Sequence, residues 1–221
     1  MSLRRSVPLA ALAFLVIAQG AAAQRANERA LHDPTSAFWR EHAPAVYRAE
    51  FETTKGSFTL EVTRALSPLG ADRFYNLVRA GYYDDSRFTR AVPNFIVQFG
   101  VPKDSTLAAL WYHHTFPDDS VKTGNVRGTF AFAMRGPNDR TTQIYINLVD
   151  NSRNDAQGFS PLGRVVDGMG VVDSLYNGYG ETSGGGVRAG KQGPLLSGGN
   201  AFVDREYPKL DHLIRATIVR N

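Results

Sequence analysis

Arg90 and Gln98 lie within RFTRAVPNFIVQFG (residues 87–100), a stretch that is otherwise mostly apolar. A buried polar side chain costs free energy unless it is paired. These two residues therefore either satisfy structural partners or line a cleft that receives a polar ligand group. In FIVQF, strand alternation puts Ile96 and Gln98 on one face and Val97 on the other. The same alternation puts Gln143 with Tyr145 in TQIYI and Ala131 with Ala133 in TFAFAM. If these faces converge, they form a shallow groove with an apolar floor and three polar groups, Arg90, Gln98 and Gln143. Such a groove suits a peptide segment with one apolar side chain and an exposed carbonyl. Ordinary packing of a β-barrel is the other reading these residues leave open.

Competing chemistries find less support. Gly185, Gly190 and Lys191 match the spacing of a phosphate-binding loop, but Gln192 stands where Ser or Thr would ligate Mg²⁺, and no apolar strand leads in. The histidines His32, His42, His113, His114 and His212 lack metal-ligand spacing, so no metal is expected. There is no Cys, hence no disulfide framework or thiolate nucleophile, and no G-x-S-x-G elbow.

The elements that must position the groove are short. VYRAEFETTKGSFTLEV alternates around Lys55–Gly56 and predicts a hairpin, with Tyr47, Ala49 and Phe51 on one face and Phe58, Leu60 and Val62 sharing another. The period then changes: Ala71, Phe74, Leu77 and Val78 recur at helical spacing, opened by Ser67–Pro68 and closed by Gly81. RFTRAV, FIVQF, TFAFAM, TQIYINLV, PLGRVV and LIRATIVR read as strands, and DGMGVVDSLYN as a second short helix. GYGETSGGGVRAGKQGP reads as a glycine-rich loop, and LWYHHTF as an insertion. The pattern predicts a mainly β fold, a closed eight-stranded antiparallel β-barrel capped by two α-helices.

The 221 residues suffice for one domain with a full core. MSLRRSVPLAALAFLVIAQGAAAQ has a basic start, an apolar run and small residues at Ala21 and Ala23, the build of a signal peptide over residues 1–23. Its apolar run is shorter than the ~20 residues a membrane span needs. Residues 24–45 read as an N-terminal arm and 46–221 as the folded domain. The formal charge is +4, of which Arg4 and Arg5 lie in the leader, too weak a bias to argue for nucleic acid or an anionic membrane.

Three motifs carry a family resemblance. AGYYDDSRFTRAVPNFIVQFG resembles the cyclophilin signature G-Y-Y-D-x-x-x-F-H-R-V-x-x-x-F-x-x-Q-x-G. GTFAFAMRGPNDRTTQIYIN resembles the second signature, and GFSPLGRVVDGMGVVDSL the third, all in order and together spanning a resemblance over roughly residues 46–220. The resemblance implies a peptidyl-prolyl cis/trans isomerase that needs no cofactor. It places the catalytic arginine at Arg90 and the carbonyl-binding glutamine at Gln98. It assigns the proline pocket to Phe95, Ile96 and Tyr145, neighbouring peptide contacts to Ala133, Met134 and Gln143, and the pocket rim to Phe159. Departures from the family pattern are Thr89 for a histidine, Phe99 for a glycine, Met134 for an asparagine, and Arg153–Asn154 where an aromatic–leucine wall is usual.

The resulting expectation is an exported monomer, periplasmic or secreted, acting on proline-containing polypeptides, without nucleic-acid or stable membrane partners. The alternative is a weakly catalytic or non-catalytic chaperone that binds proline peptides on the same fold. A ligand-carrying barrel, the third reading, requires a hollow interior.

Overall fold

A computed structural model describes residues 27–184 and 192–219. The expected leader and the Gly185–Lys191 motif lie outside the described residues. Eight strands form one antiparallel sheet: β1 (Val46–Thr53), β2 (Gly56–Thr63), β3 (Arg90–Val92), β4 (Ile96–Phe99), β5 (Thr129–Phe132), β6 (Ile144–Asn147), β7 (Pro161–Asp167) and β8 (Leu213–Val219). Their spatial order is β3-β4-β6-β5-β7-β2-β1-β8. Helix α1 (Pro68–Arg79) follows the first hairpin, and α2 (Ser105–Tyr112) lies between β4 and β5. Between β7 and β8 come α3 (Met169–Ser174), α4 (Glu181–Gly184) and α5 (Gln192–Glu206), the last bent at Gly199. No described helix is long and apolar enough to cross a membrane.

The hairpin follows the expected alternation. Tyr47, Ala49 and Phe51 face the core and oppose Val62, Leu60 and Phe58. The interior is filled by aromatic rings rather than hollow. Phe51 stacks on Phe58 at 5.1 Å and meets Phe99 edge-on at 5.6 Å, while Phe74 from α1 lies 5.4 Å from Phe130. Gly163 allows β7 to approach β2, since a Cβ there would lie 1.8 Å from the Glu61 carbonyl oxygen.

Two expectations need correction. Among the described residues the sheet curls but does not close, because no ladder joins β3 to β8. Among the described residues only the isolated bridge Arg87–His212 and its flanking backbone bonds link those edges. The physical reason lies at the outer edge of β3. There the Thr89 carbonyl accepts from Ser183 Oγ of α4, and the Arg87 guanidinium is held by Asp204 of α5, so helices occupy the place of a strand. For the same reason the two-helix cap is incomplete as a description. Helices α1 and α3 form within the expected segments, but LWYHHTF ends a third helix, and both described flanks of the glycine-rich stretch are helical.

The segment before β1 packs on this frame. Residues 27–31 are helical, Ala37–Arg40 form a 3₁₀ turn, Trp39 meets Trp111 edge-on at 4.5 Å, and Trp111 Nε1 donates to the Leu31 carbonyl. At the other end of α1, Ser67 makes no side-chain cap bond to the helix. Asp119 replaces it from 50 residues away, accepting from the backbone N–H of Leu69 and Gly70 and from Ser67 Oγ. Arg140, 2% exposed, donates to the same carboxylate at 3.1 Å. Burial alone would raise the Asp119 pKa, but these hydrogen bonds and the Arg140 charge outweigh it and hold the carboxyl below its usual range.

Removing one partner of a buried ion pair typically costs about 3–5 kcal/mol, so Asp119→Ala should lower stability by roughly the smaller figure, ~3 kcal/mol, in denaturant titration near neutral pH. Because the folded-state pKa is depressed, the stabilisation is present above the unfolded value of ~3.9 and is lost as pH falls through the folded value. The gap between wild type and Asp119→Ala should therefore narrow below about pH 4. A pH-independent gap would show that the charge on Asp119 contributes nothing.

Candidate active site

β3 pairs with β4, β4 with β6 and β6 with β5, so residues far apart in sequence become cross-strand neighbours. One row reads Arg90–Gln98–Tyr145–Ala131, and the next reads Ala91–Val97–Ile146–Phe130. The second row points into the aromatic core. The first row points away from it, and there Ile96, Ala131 and Tyr145 form a separate apolar cluster with Phe95, Ala133 and Phe159. Of these, Phe95, Ile96, Ala133, Tyr145 and Phe159 line a cleft of about 590 Å³, with Ala131 buried outside its lining. All nine site residues expected from sequence line it: Arg90, Gln98, Phe95, Ile96, Ala133, Met134, Gln143, Tyr145 and Phe159.

The polar groups form a chain. Arg90 Nη1 donates to Gln98 Oε1 at 3.0 Å, and Gln98 Nε2 donates to Gln143 Oε1 at 2.9 Å. Gln98 keeps a second amide N–H that these bonds do not use. Its side chain is buried because the cleft walls roof the outer face of β4, leaving that strand buried on both faces. Gly100 keeps Gln143 in reach. Its φ is +105°, and a Cβ would lie 2.8 Å from the Thr142 carbonyl oxygen and 3.0 Å from Gln143 Cα.

The apolar end is held by a polar hub beneath it. Tyr145 lies edge-on to Phe159 at 5.7 Å, and its hydroxyl donates to Asn125 Oδ1 at 2.7 Å. Asn125 Nδ2 in turn donates to the Phe159 carbonyl and to Asp155 Oδ1. Asn125 thus orients both rings. Burial pushes the Tyr145 phenol well above its usual pKa, so it remains a neutral donor. Asn151 Nδ2 holds the Phe95 carbonyl at 2.9 Å.

Several lining residues were not expected from sequence. Tyr112, at the end of α2, carries the Arg135 guanidinium 4.4 Å over its ring, and Arg135 pairs with Asp139. Glu181 of α4 reaches Arg90, and Gln192 lines the same wall. Arg153 stands in the wall as its motif position implied, its guanidinium 4.8 Å over the Phe95 ring. No described trio of His, Asp or Glu side chains is placed to hold a metal ion. A second cavity of about 600 Å³, between residues near the N-terminal arm and β8, contains none of the expected site residues.

An antiparallel sheet that sets a polar hydrogen-bond chain against an apolar pocket on its outer face offers a cleft suited to a peptide with one apolar ring and an exposed carbonyl. Residues 48–192 match the family model for cyclophilin-type peptidyl-prolyl cis-trans isomerases. The chain belongs to that family. It is 32% identical to a peptidyl-prolyl cis-trans isomerase of Acinetobacter baylyi, over 62% of this chain and 75% of that one. It is 30% identical to such an isomerase of Streptomyces antibioticus, over 57% and 81%. Among solved structures it resembles a cyclophilin-type isomerase of Cryptosporidium parvum with a TM-score of 0.60 at 19% identity, over 80% of this chain and 99% of that one. It also resembles a cyclophilin from Hirschia baltica with a TM-score of 0.56 at 16% identity, over 80% and 75%. At these identities the structural likeness concerns the fold alone.

If Arg153 stands where the family resemblance puts an apolar wall, a cyclosporin-type macrocycle seated on that wall would meet its guanidinium. Placing a charged group against an apolar ligand loses contact and adds desolvation, together on the order of 2–4 kcal/mol, or roughly 30- to 1,000-fold in affinity. Macrocycle titration against isomerase activity should give weak inhibition, with Arg153→Trp recovering part of the affinity. Nanomolar inhibition of the unmodified chain would remove this role for Arg153.

Proposed function

We propose that this cleft catalyses rotation about X-Pro bonds in exported polypeptides and so assists their folding. The observation that carries the reading is the Arg90–Gln98–Gln143 chain beside the pocket of Phe95, Ile96 and Tyr145. Rotation has a barrier of ~18–20 kcal/mol because amide resonance is lost midway. Nucleophile, metal and general acid are not required; the twisted amide must be bound better than either planar form.

In this reading the proline ring enters the apolar pocket, which Asn125 keeps rigid through Tyr145 and Phe159. The free N–H of Gln98 holds the carbonyl of the residue before proline. As the amide twists, the proline nitrogen pyramidalises and gains a lone pair, to which Arg90 donates. That bond exists only near the transition state, so it lowers the barrier rather than merely tightening binding. Ala133, Met134 and Gln143 border the path of the neighbouring residues.

Arg90→Ala should reduce kcat by about 10²–10³-fold, the scale of losing one transition-state donor, with a much smaller effect on peptide affinity. Arg90→Lys should restore little, because an ammonium lacks the planar fork. An X-Pro peptide assay checks both. Equal rates for wild type and Arg90→Ala would favour the chaperone alternative, in which the cleft binds proline segments without accelerating exchange.

Export rests on the N-terminal pattern of Arg4–Arg5, an apolar run and Ala21–Ala23. The exported chain should begin near Gln24, as read by N-terminal sequencing. A retained leader in the membrane fraction would contradict this.

A further inference from the structure

We infer that Glu181 is a positioning residue for Arg90, supplied by the helical segment between β7 and β8; the inference rests on the isomerase reading of the cleft. Glu181 grips the guanidinium with both carboxylate oxygens, Oε2 accepting from Nε at 2.8 Å and Oε1 from Nη2 at 2.7 Å. This is the two-bond, fork-to-fork geometry that fixes an arginine in a plane as well as in place. Gln98 takes a third N–H, through Nη1. Of the five N–H bonds a guanidinium carries, two then remain for a substrate.

Without Glu181, the hydrogen bond to Gln98 would be the one polar hold on the Arg90 head among the described residues. A single bond through Nη1 leaves the plane free to turn about it. The Phe95 ring, 5.4 Å from Arg90 Cζ, limits this turning only weakly, since cation–π contact has broad directionality. A donor that acts only on the twisted amide must be oriented before the twist, because reorientation during the reaction would add to the barrier.

The attachments of α4 point the same way. The helix is four residues long, Glu181–Gly184, and places no large apolar side chain in the core. Two of its side chains end on the start of β3 and the residue before it. Glu181 holds Arg90, and buried Ser183 donates to the carbonyl of Thr89, the residue just before it, at 2.7 Å. Behind it, Tyr207 Oη donates to the Thr182 carbonyl at 3.1 Å. The Glu181 side chain is 39% exposed and that of Arg90 16%, so the carboxylate is the more solvated partner of the pair.

Full-length wild type, Arg90→Ala, Glu181→Ala, Glu181→Gln, Ser183→Ala and the Arg90→Ala/Glu181→Ala double variant would be compared by exchange NMR on an X-Pro peptide. That method follows catalysed exchange even at near-stoichiometric enzyme. Glu181→Ala should lower kcat by about 10-fold with KM within about two-fold, the signature of a misoriented donor. Glu181→Gln, which keeps one acceptor oxygen for the fork, should recover most of the loss, and Ser183→Ala should fall between. In the Arg90→Ala background, Glu181→Ala should change nothing further, because a positioning residue has no effect once its target is gone. A Glu181→Ala rate equal to or above wild type would overturn the inference, as would the same fractional loss in both backgrounds. A wild type no faster than Arg90→Ala would instead overturn the isomerase reading on which the inference stands.

Discussion

The register of β3, β4, β6 and β5 is the constraint on which the remainder of the site depends. Side chains alternate between faces along a strand, so a slip of one residue exchanges the two faces completely. In the observed register Ala91, Val97, Ile146 and Phe130 enter the core as one cross-strand row. Arg90, Gln98, Tyr145 and Ala131 are thereby committed to the opposite face. A slip at β3 or β4 would push a guanidinium or a carboxamide among phenylalanines, at a cost of several kcal/mol per unpaired group. Core packing, rather than any interaction within the cleft, is what brings the polar chain into line.

The core also requires support at its periphery, and that support builds the cleft walls. Helix α1 lays Phe74 on the core and takes its N-terminal cap from Asp119, which Arg140 neutralises. Arg140 directly follows Asp139, the partner of Arg135 at the cleft rim, so the anchor that caps α1 also steadies the turn leading to Gln143. Helices α2 and α5 pack on each other and present Tyr112 and Gln192 to the cleft. The open edge of β3 is what allows α4 to reach Arg90. A sheet closed by a β3–β8 ladder would occupy the Thr89 carbonyl that Ser183 now holds.

For a reaction that only twists a bond, the site has little covalent work to do. Its requirements are an apolar seat for the ring, a holder for one carbonyl, and a donor that finds its acceptor only midway. A cation placed beside an apolar floor would, if unpaired, be poorly solvated and free to wander. Pairing it with a partly exposed carboxylate keeps it oriented while leaving N–H groups unused.

Much of this was legible in the chain itself. Period-two alternation set the faces of the hairpin and of FIVQF, helical spacing located α1, and three ordered motifs placed all nine expected cleft residues. These are local signals, carried by neighbouring residues, and they survive without knowledge of the fold. Glu181 was not legible, because it lies in a glycine-rich stretch of no clear periodicity and its partner is 91 residues away. Asn125 carried no signal either, since its role depends on Tyr145 and Phe159 arriving above it. Closure of the barrel was not legible either: strand count follows from local pattern, but whether two edges meet depends on which groups compete for their backbone. Local pattern therefore determined the strands, the faces and the identity of the polar row. Tertiary structure alone decided what grips that row from outside, because long-range hydrogen bonds and ion pairs depend on positions in space that no local periodicity encodes.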